Sequence, residues 1–152
     1  MTVYLVRHAK AGSRRNWSGD DAQRPLSRPG ARQATKLAGA LAHVGITRIV
    51  SSPYTRCVQT VEPLAAGLRI PVDQSDALAE GATTVEAVAL FEKLATEHAV
   101  MCSHGDVLGD LLMHFADHGV RLDDFRLEKG SVWVVECDHG RATSARYVSP
   151  AD

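Results

Sequence analysis

The sequence predicts a mostly parallel α/β sheet covered by helices on both faces, a three-layer α/β/α sandwich with an antiparallel addition at its C-terminal end. Two observations carry this. Short runs rich in β-branched residues alternate with stretches of helical periodicity in the order β-α-β-α-β-α-β-α, and the tail then reads as two strand-like runs divided by Asp138 to Gly140. Strands separated by helices pair in parallel through crossovers, whereas two strands joined by a tight turn pair antiparallel. The 152 residues are enough for one core, so residues 1–152 are read as a single domain.

The elements follow in order. "TVYLV" (2–6) is a first strand. The irregular residues 10–26, "KAGSRRNWSGDDAQRPL", form a long loop, and loops of that length are often functional. Ser27 is a candidate N-cap for a helix whose Ala34, Leu37, Ala38 and Leu41 share a face until Gly45 stops it. "RIVSS" (48–52) is a second strand, and residues 55–68 a helix that Pro63 is expected to kink or split. A weak third strand lies near 71–74. Thr83 and Glu86 form a capping box opening a helix with Val88, Phe91, Leu94 and Ala95 on one side. "AVMCS" (99–103) is a fourth strand, leading into a helix that turns Val107, Leu108, Leu111, Leu112 and Phe115 inward.

Composition narrows the function. Lys plus Arg (17) nearly balance Asp plus Glu (18), so there is no global field to hold nucleic acid or an anionic membrane, and any anion site must be local. No apolar run approaches the roughly 18 to 20 residues of a membrane span, and the N-terminal charges follow rather than precede the apolar stretch, unlike a signal peptide. A cytoplasmic protein is the expectation. Cys57, Cys102 and Cys137 lack CxxC spacing and read as buried reduced thiols.

In open α/β sheets, ligands bind outside the carboxyl ends of the strands. Just past the four strands stand Arg7 with His8, Arg56, Glu80 and His104. Two arginines, two histidines and one carboxyl group on one rim fit phosphoryl transfer without a metal. Guanidinium forks match phosphate oxygens and neutralise their charge. A neutral imidazole can then attack phosphorus while a carboxyl group handles the leaving-group and water protons. In the loop, Arg14, Arg15 and Trp17 are a candidate substrate wall, the arginines for further phosphates and the indole for a base or leaving group. Arg24 is a candidate ion-pair anchor. Ser51, Ser52 and Thr55 read as capping and turn residues, as does the Asp20–Asp21 pair. His114 and His118 have a zinc-like spacing but no HExxH glutamate, so no metal and no cofactor is expected.

Four segments carry a family resemblance. "LVRHA" resembles the Arg-His-Gly signature of the histidine phosphatase (phosphoglycerate-mutase-like) superfamily, with Ala9 in the Gly place. "RPLSRPGARQA" (24–34), "SSPYTRCVQT" (51–60) and "SHG" (103–105) resemble its R-P-L-[ST]-x-x-G-x-x-Q-A, S-S-P-x-x-R-x-x-Q-T and second-histidine segments. The short chain is similar to the small SixA-type phosphohistidine phosphatases, and "SGDDAQRPLS" and "KGSVWVV" look like the histidine phosphatase domain attached to some MutT-like Nudix hydrolases. The resemblance implies His8 as nucleophile, Arg7 and Arg56 as phosphate clamps, His104 as second histidine, Gly105 as a backbone donor, and Glu80, in "LAEG", as the acid. It implies a phosphatase acting through a phosphohistidine on a phosphomonoester, a nucleoside polyphosphate or a protein phosphohistidine, with a Nudix-type protein as a further partner. Two rivals keep the fold: a catalytically quiet phosphate-binding regulatory domain, which intact His8 and His104 oppose, and a phosphomutase, which the lack of a covering insertion opposes.

Overall fold

The computed structural model describes residues 1–150. Strand β1 (Thr2–Arg7) is followed by α1 (Arg28–Leu41), β2 (Arg48–Ser51), α2 (Thr55–Leu68), β3 (Val72–Gln74), α3 (Thr84–Leu94), β4 (Ala99–Ser103) and α4 (Gly105–Asp117), then by β5 (Val132–Asp138) and β6 (Arg141–Val148). The six strands form one sheet in the order β3-β2-β4-β1-β5-β6. Pairs β2–β3, β2–β4 and β1–β4 are parallel; β1–β5 and β5–β6 are antiparallel. The predicted sandwich with its antiparallel addition is what forms.

The side-chain period of two divides the core. Val3 and Leu5 of β1 join Met101, Phe91, Leu108 and Trp133 on the face covered by α3 and α4. Tyr4 and Val6 join Val100, Cys102, Leu37 and Leu64 on the face covered by α1 and α2. Because β1 and β4 are buried on both faces, their apolar runs are continuous rather than alternating.

Helix ends carry the expected chemistry. Ser27 Oγ accepts from Gly30 N–H and Thr83 Oγ1 from Glu86 N–H, each at 3.2 Å. Gly45 turns the chain at a φ of 83° after α1. Pro63 does not split α2, which continues unbroken to Leu68 and ends on Arg69 in the left-handed region. The hairpin turns through His139 and Gly140, both at positive φ, as a two-residue connection matching strand twist requires. Among the described residues no helix is long and apolar enough to cross a membrane.

Candidate active site

All four parallel strands deliver their C-terminal ends to one edge, and the convergence expected on that rim is present. Arg7 ends β1 and His8 follows it. His8 N–H donates to Ser103 O at 3.0 Å, at the end of the adjacent β4, and Gly130 N–H bonds back to the carbonyls of Arg7 and His8. The backbone of His8 is thus fixed from both sides. Its Nδ1 lies 2.8 Å from Ala9 O; a carbonyl can only accept, so Nδ1 carries the proton and Nε2 keeps its lone pair. Burial lowers the His8 pKa to about 3; the Ala9 carbonyl opposes this, and His104, Arg56 and Arg7 add to it. The imidazole is therefore held neutral.

Arg56, in the first turn of α2, is 1% exposed. Its Nη1 donates to Asp21 O at 2.9 Å and its Nη2 to Asp21 Oδ2 at 3.1 Å. Asp21 also accepts from Arg24 Nε at 3.0 Å and stands 3.5 Å from Arg14 Nε. Slight burial raises its carboxyl pKa, but the Arg24 hydrogen bond and the charges of Arg56, Arg24 and Arg14 outweigh this and hold it below the usual range. Arg7 Nη1 is anchored on Leu127 O. With both guanidinium groups held by their outer nitrogens, Arg7 Nε, Arg56 Nε and His104 Nδ1 remain buried without a partner in the protein. Buried nitrogens without partners are costly. An anion between them would supply the acceptors they lack.

A cleft of about 570 Å³ opens over these groups. Arg7, His8, Arg56, Glu80 and His104 all line it, as does Arg14. Glu80 Oε1 lies 3.5 Å from Arg14 Nη2 and 3.7 Å from Arg56 Nη2. Gly105 also lines the cleft, and its packing adds a spatial role, since a Cβ there would stand 3.1 Å from Arg7 Cζ. Arg15 and Trp17 are not in the wall: the Trp17 indole turns aside to donate to Asp20 O at 2.9 Å.

The aromatic and apolar positions come instead from Phe125 and Leu127, in the segment between α4 and β5, together with Lys129. Burial lowers the Lys129 pKa, and Arg7, Arg24, Arg14 and Arg56 lower it further. Five cations, Arg7, Arg14, Arg24, Arg56 and Lys129, thus face two carboxylates, Glu80 and Asp106, in the lining. A chain of net charge −1 concentrates its positive charge here.

Several residues of the site differ from their sequence expectation or carry none. Asp21 is the common anchor of three arginines rather than a mere turn residue, while its neighbour Asp20 does cap the turn by accepting from Ala22 N–H at 3.0 Å. Arg24 is the expected anchor and also part of the wall. Ser52 bonds His104 as well as turning the chain. For Asp21 the only local signal is its spacing of three from Arg24; Phe125 and Lys129 sit in a segment without periodicity. His114 and His118 stack at 4.2 Å, and no cluster of three or more metal-ligating side chains exists among the described residues. The three cysteines are free and buried.

Residues 3–87 match the model of the histidine phosphatase superfamily (branch 1). The 8-oxo-(d)GTP phosphatase of Mycolicibacterium smegmatis is 34% identical over 157 residues, covering 99% of this chain and 49% of that protein. This chain therefore spans about half the length of that relative. Among solved structures, the protein histidine phosphatase SixA complexed with tungstate superposes with a TM-score of 0.78 at 20% identity, covering 100% of this chain and 97% of that one. YhfR of Bacillus stearothermophilus gives 0.75 at 21% identity, covering 93% of each. At such identities the structures speak for the fold, which is the phosphoglycerate-mutase-like sandwich of the small SixA-type proteins. The family match includes both the end of β1 with Arg7 and the His8 that follows it, and the helix that carries Arg56, and this chain belongs to the histidine phosphatase superfamily.

Proposed function

We propose that the chain is a metal-independent phosphatase that hydrolyses a small phosphorylated substrate through a covalent phosphohistidine on His8. The observation that carries this is His8 itself, neutral, with its proton committed to Ala9 O and its free Nε2 beside two guanidinium groups. Arg7 and Arg56 draw in the phosphoryl group and offset its charge. His8 Nε2 forms the N–P bond in line as the bond to the leaving oxygen breaks. Water then attacks phosphorus, the N–P bond breaks, and inorganic phosphate leaves. We assign to Glu80, which lines the same cleft, the protonation of the leaving oxygen and then the removal of a proton from the attacking water.

Among substrates, the surplus of cations beyond the two clamps favours a nucleoside polyphosphate over a protein phosphohistidine, because Arg14 and Lys129, in the cleft wall, can receive a second phosphoryl group. The name of the Mycolicibacterium relative, an 8-oxo-(d)GTP phosphatase, supports the same choice. The test is hydrolysis of an aryl phosphate and of nucleoside di- and triphosphates in excess chelator. Turnover abolished in His8→Ala is expected; turnover surviving that substitution would sink the nucleophile, and loss on chelation would sink the metal-free mechanism.

A further inference from the structure

We propose that Ser52, assisted by Cys57, is a positioning residue that keeps a proton on Nδ1 of His104, so that the ring presents an N–H to the phosphoryl group. The inference rests on the phosphatase reading above, in which His104 serves as second histidine. His104 stands at the N-terminus of α4, 2% exposed, with its ring in the cleft wall. Its two nitrogens have different surroundings. Nε2 lies 2.9 Å from Ser52 Oγ and 3.5 Å from Cys57 Sγ, whereas Nδ1 is buried without a partner in the protein.

Proton accounting assigns the tautomer. Ser52 is fully buried, and its Oγ already accepts from Tyr54 N–H at 3.2 Å. Its own hydroxyl proton needs an acceptor, and of the two at hand Nε2, at 2.9 Å, is stronger than the Cys57 sulfur. With Nε2 accepting, a neutral imidazole must carry its hydrogen on Nδ1. The opposite tautomer would aim a bare nitrogen lone pair at phosphate oxygens and leave a buried hydroxyl contesting its proton with Nε2–H, both unfavourable. Cys57 acts on the same atom. Its Sγ lies beside Nε2, whose single lone pair the Ser52 hydroxyl takes; as a thiolate it would draw a further proton onto Nε2, again leaving Nδ1–H in place. The Tyr54 ring, 4.7 Å away and nearly perpendicular, packs against the imidazole and restrains its rotation.

The tautomer is directly measurable by 15N NMR of the imidazole nitrogens in the full chain labelled at histidine, with the His104 signals assigned by comparison with His104→Gln. A protonated Nδ1 is expected in the unsubstituted protein; a bare Nδ1 with a protonated Nε2 overturns the proposal without any variant. In Ser52→Ala the population should move towards Nε2–H, with kcat falling by up to the roughly hundredfold to thousandfold of losing one oriented transition-state donor, and KM changing little. Cys57→Ala alone should leave Nδ1 protonated, and should add to the shift only when combined with Ser52→Ala. Ser52→Thr, which keeps the hydroxyl, should restore both readouts. Unchanged nitrogen signals and unchanged kcat in Ser52→Ala combined with Cys57→Ala overturn the positioning role. If the phosphatase reading fails instead, turnover survives His8→Ala while the tautomer measurement stands.

Discussion

At position 105 an added Cβ would stand 3.1 Å from Cζ, 3.2 Å from Nη2 and 3.3 Å from Nε of Arg7, so the absence of a side chain there lets the guanidinium lie against the first turn of α4. Arg7 cannot yield freely, because Nη1 is held by Leu127 O. Gly105→Ala is therefore expected to lower kcat/KM about tenfold or more by misplacing a clamp, with only a small loss of thermal stability; unchanged kinetics would show that Arg7 adapts. Asp21→Asn keeps an oxygen for one guanidinium but removes the charge shared by Arg14, Arg24 and Arg56. KM should change while the His8 chemistry persists, a split that steady-state kinetics reads directly. Glu80→Gln should slow substrates with poor leaving groups and spare those with good ones, which a series of aryl phosphates of graded leaving-group acidity would reveal.

At the scale of elements, the site is held by contacts between segments distant in sequence. The N-terminal turn of α1 meets the chain leaving β1 at Gly30, where a Cβ would fall 1.8 Å from Lys10 O. Ser27 N–H bonds the same carbonyl at 3.0 Å, and Lys10 N–H bonds Gln33 Oε1. This junction sets the start of the loop that brings Arg14, Asp21 and Arg24 over the cleft. Gly30→Ala should cost about 1–3 kcal/mol, the usual price of overpacking against backbone, measured as a lower urea midpoint with unchanged m. Because loop and clamp are linked through Asp21 and Arg56, activity should fall at denaturant concentrations below those that unfold the sheet.

For the molecule as a whole, His8 links function to acid stability. Its folded pKa, near 3, lies below the ordinary value of about 6.5. Between these pH values the unfolded chain binds more protons than the folded one, so stability is full above about pH 6.5 and declines as pH falls towards 3. The loss is on the order of a few kcal/mol. Urea midpoints at about pH 7.5 and about pH 5 should differ less in His8→Gln than in the unsubstituted protein; an equal difference would show that other groups dominate. The concentration of cations in the cleft also predicts that KM rises with ionic strength, since salt screens exposed charges such as Arg14.

Much of this architecture is local information. The apolar runs of β1 and β4, the caps at Ser27 and Thr83, and the inward face of α4 are readable because they obey fixed periods and proton-matching rules along a continuous chain. The rule that ligands bind beyond parallel strand ends then brought Arg7, His8, Arg56, Glu80 and His104 to one rim without any contact being known. What no window of sequence holds is the partner of each of these groups. Asp21 meets Arg56 across 35 residues, Ser52 meets His104 across 52, and Leu127 meets Arg7 across 120. Neither Lys129 nor Phe125 has a periodic neighbourhood to mark it. The amino-acid sequence by itself determined which chemical groups stand at the sheet edge, because strand period and chain direction dictate that. Only the tertiary structure decided which of their nitrogens are held and which are left without a partner, because hydrogen-bond geometry depends on loops whose course is set by packing rather than by local propensity.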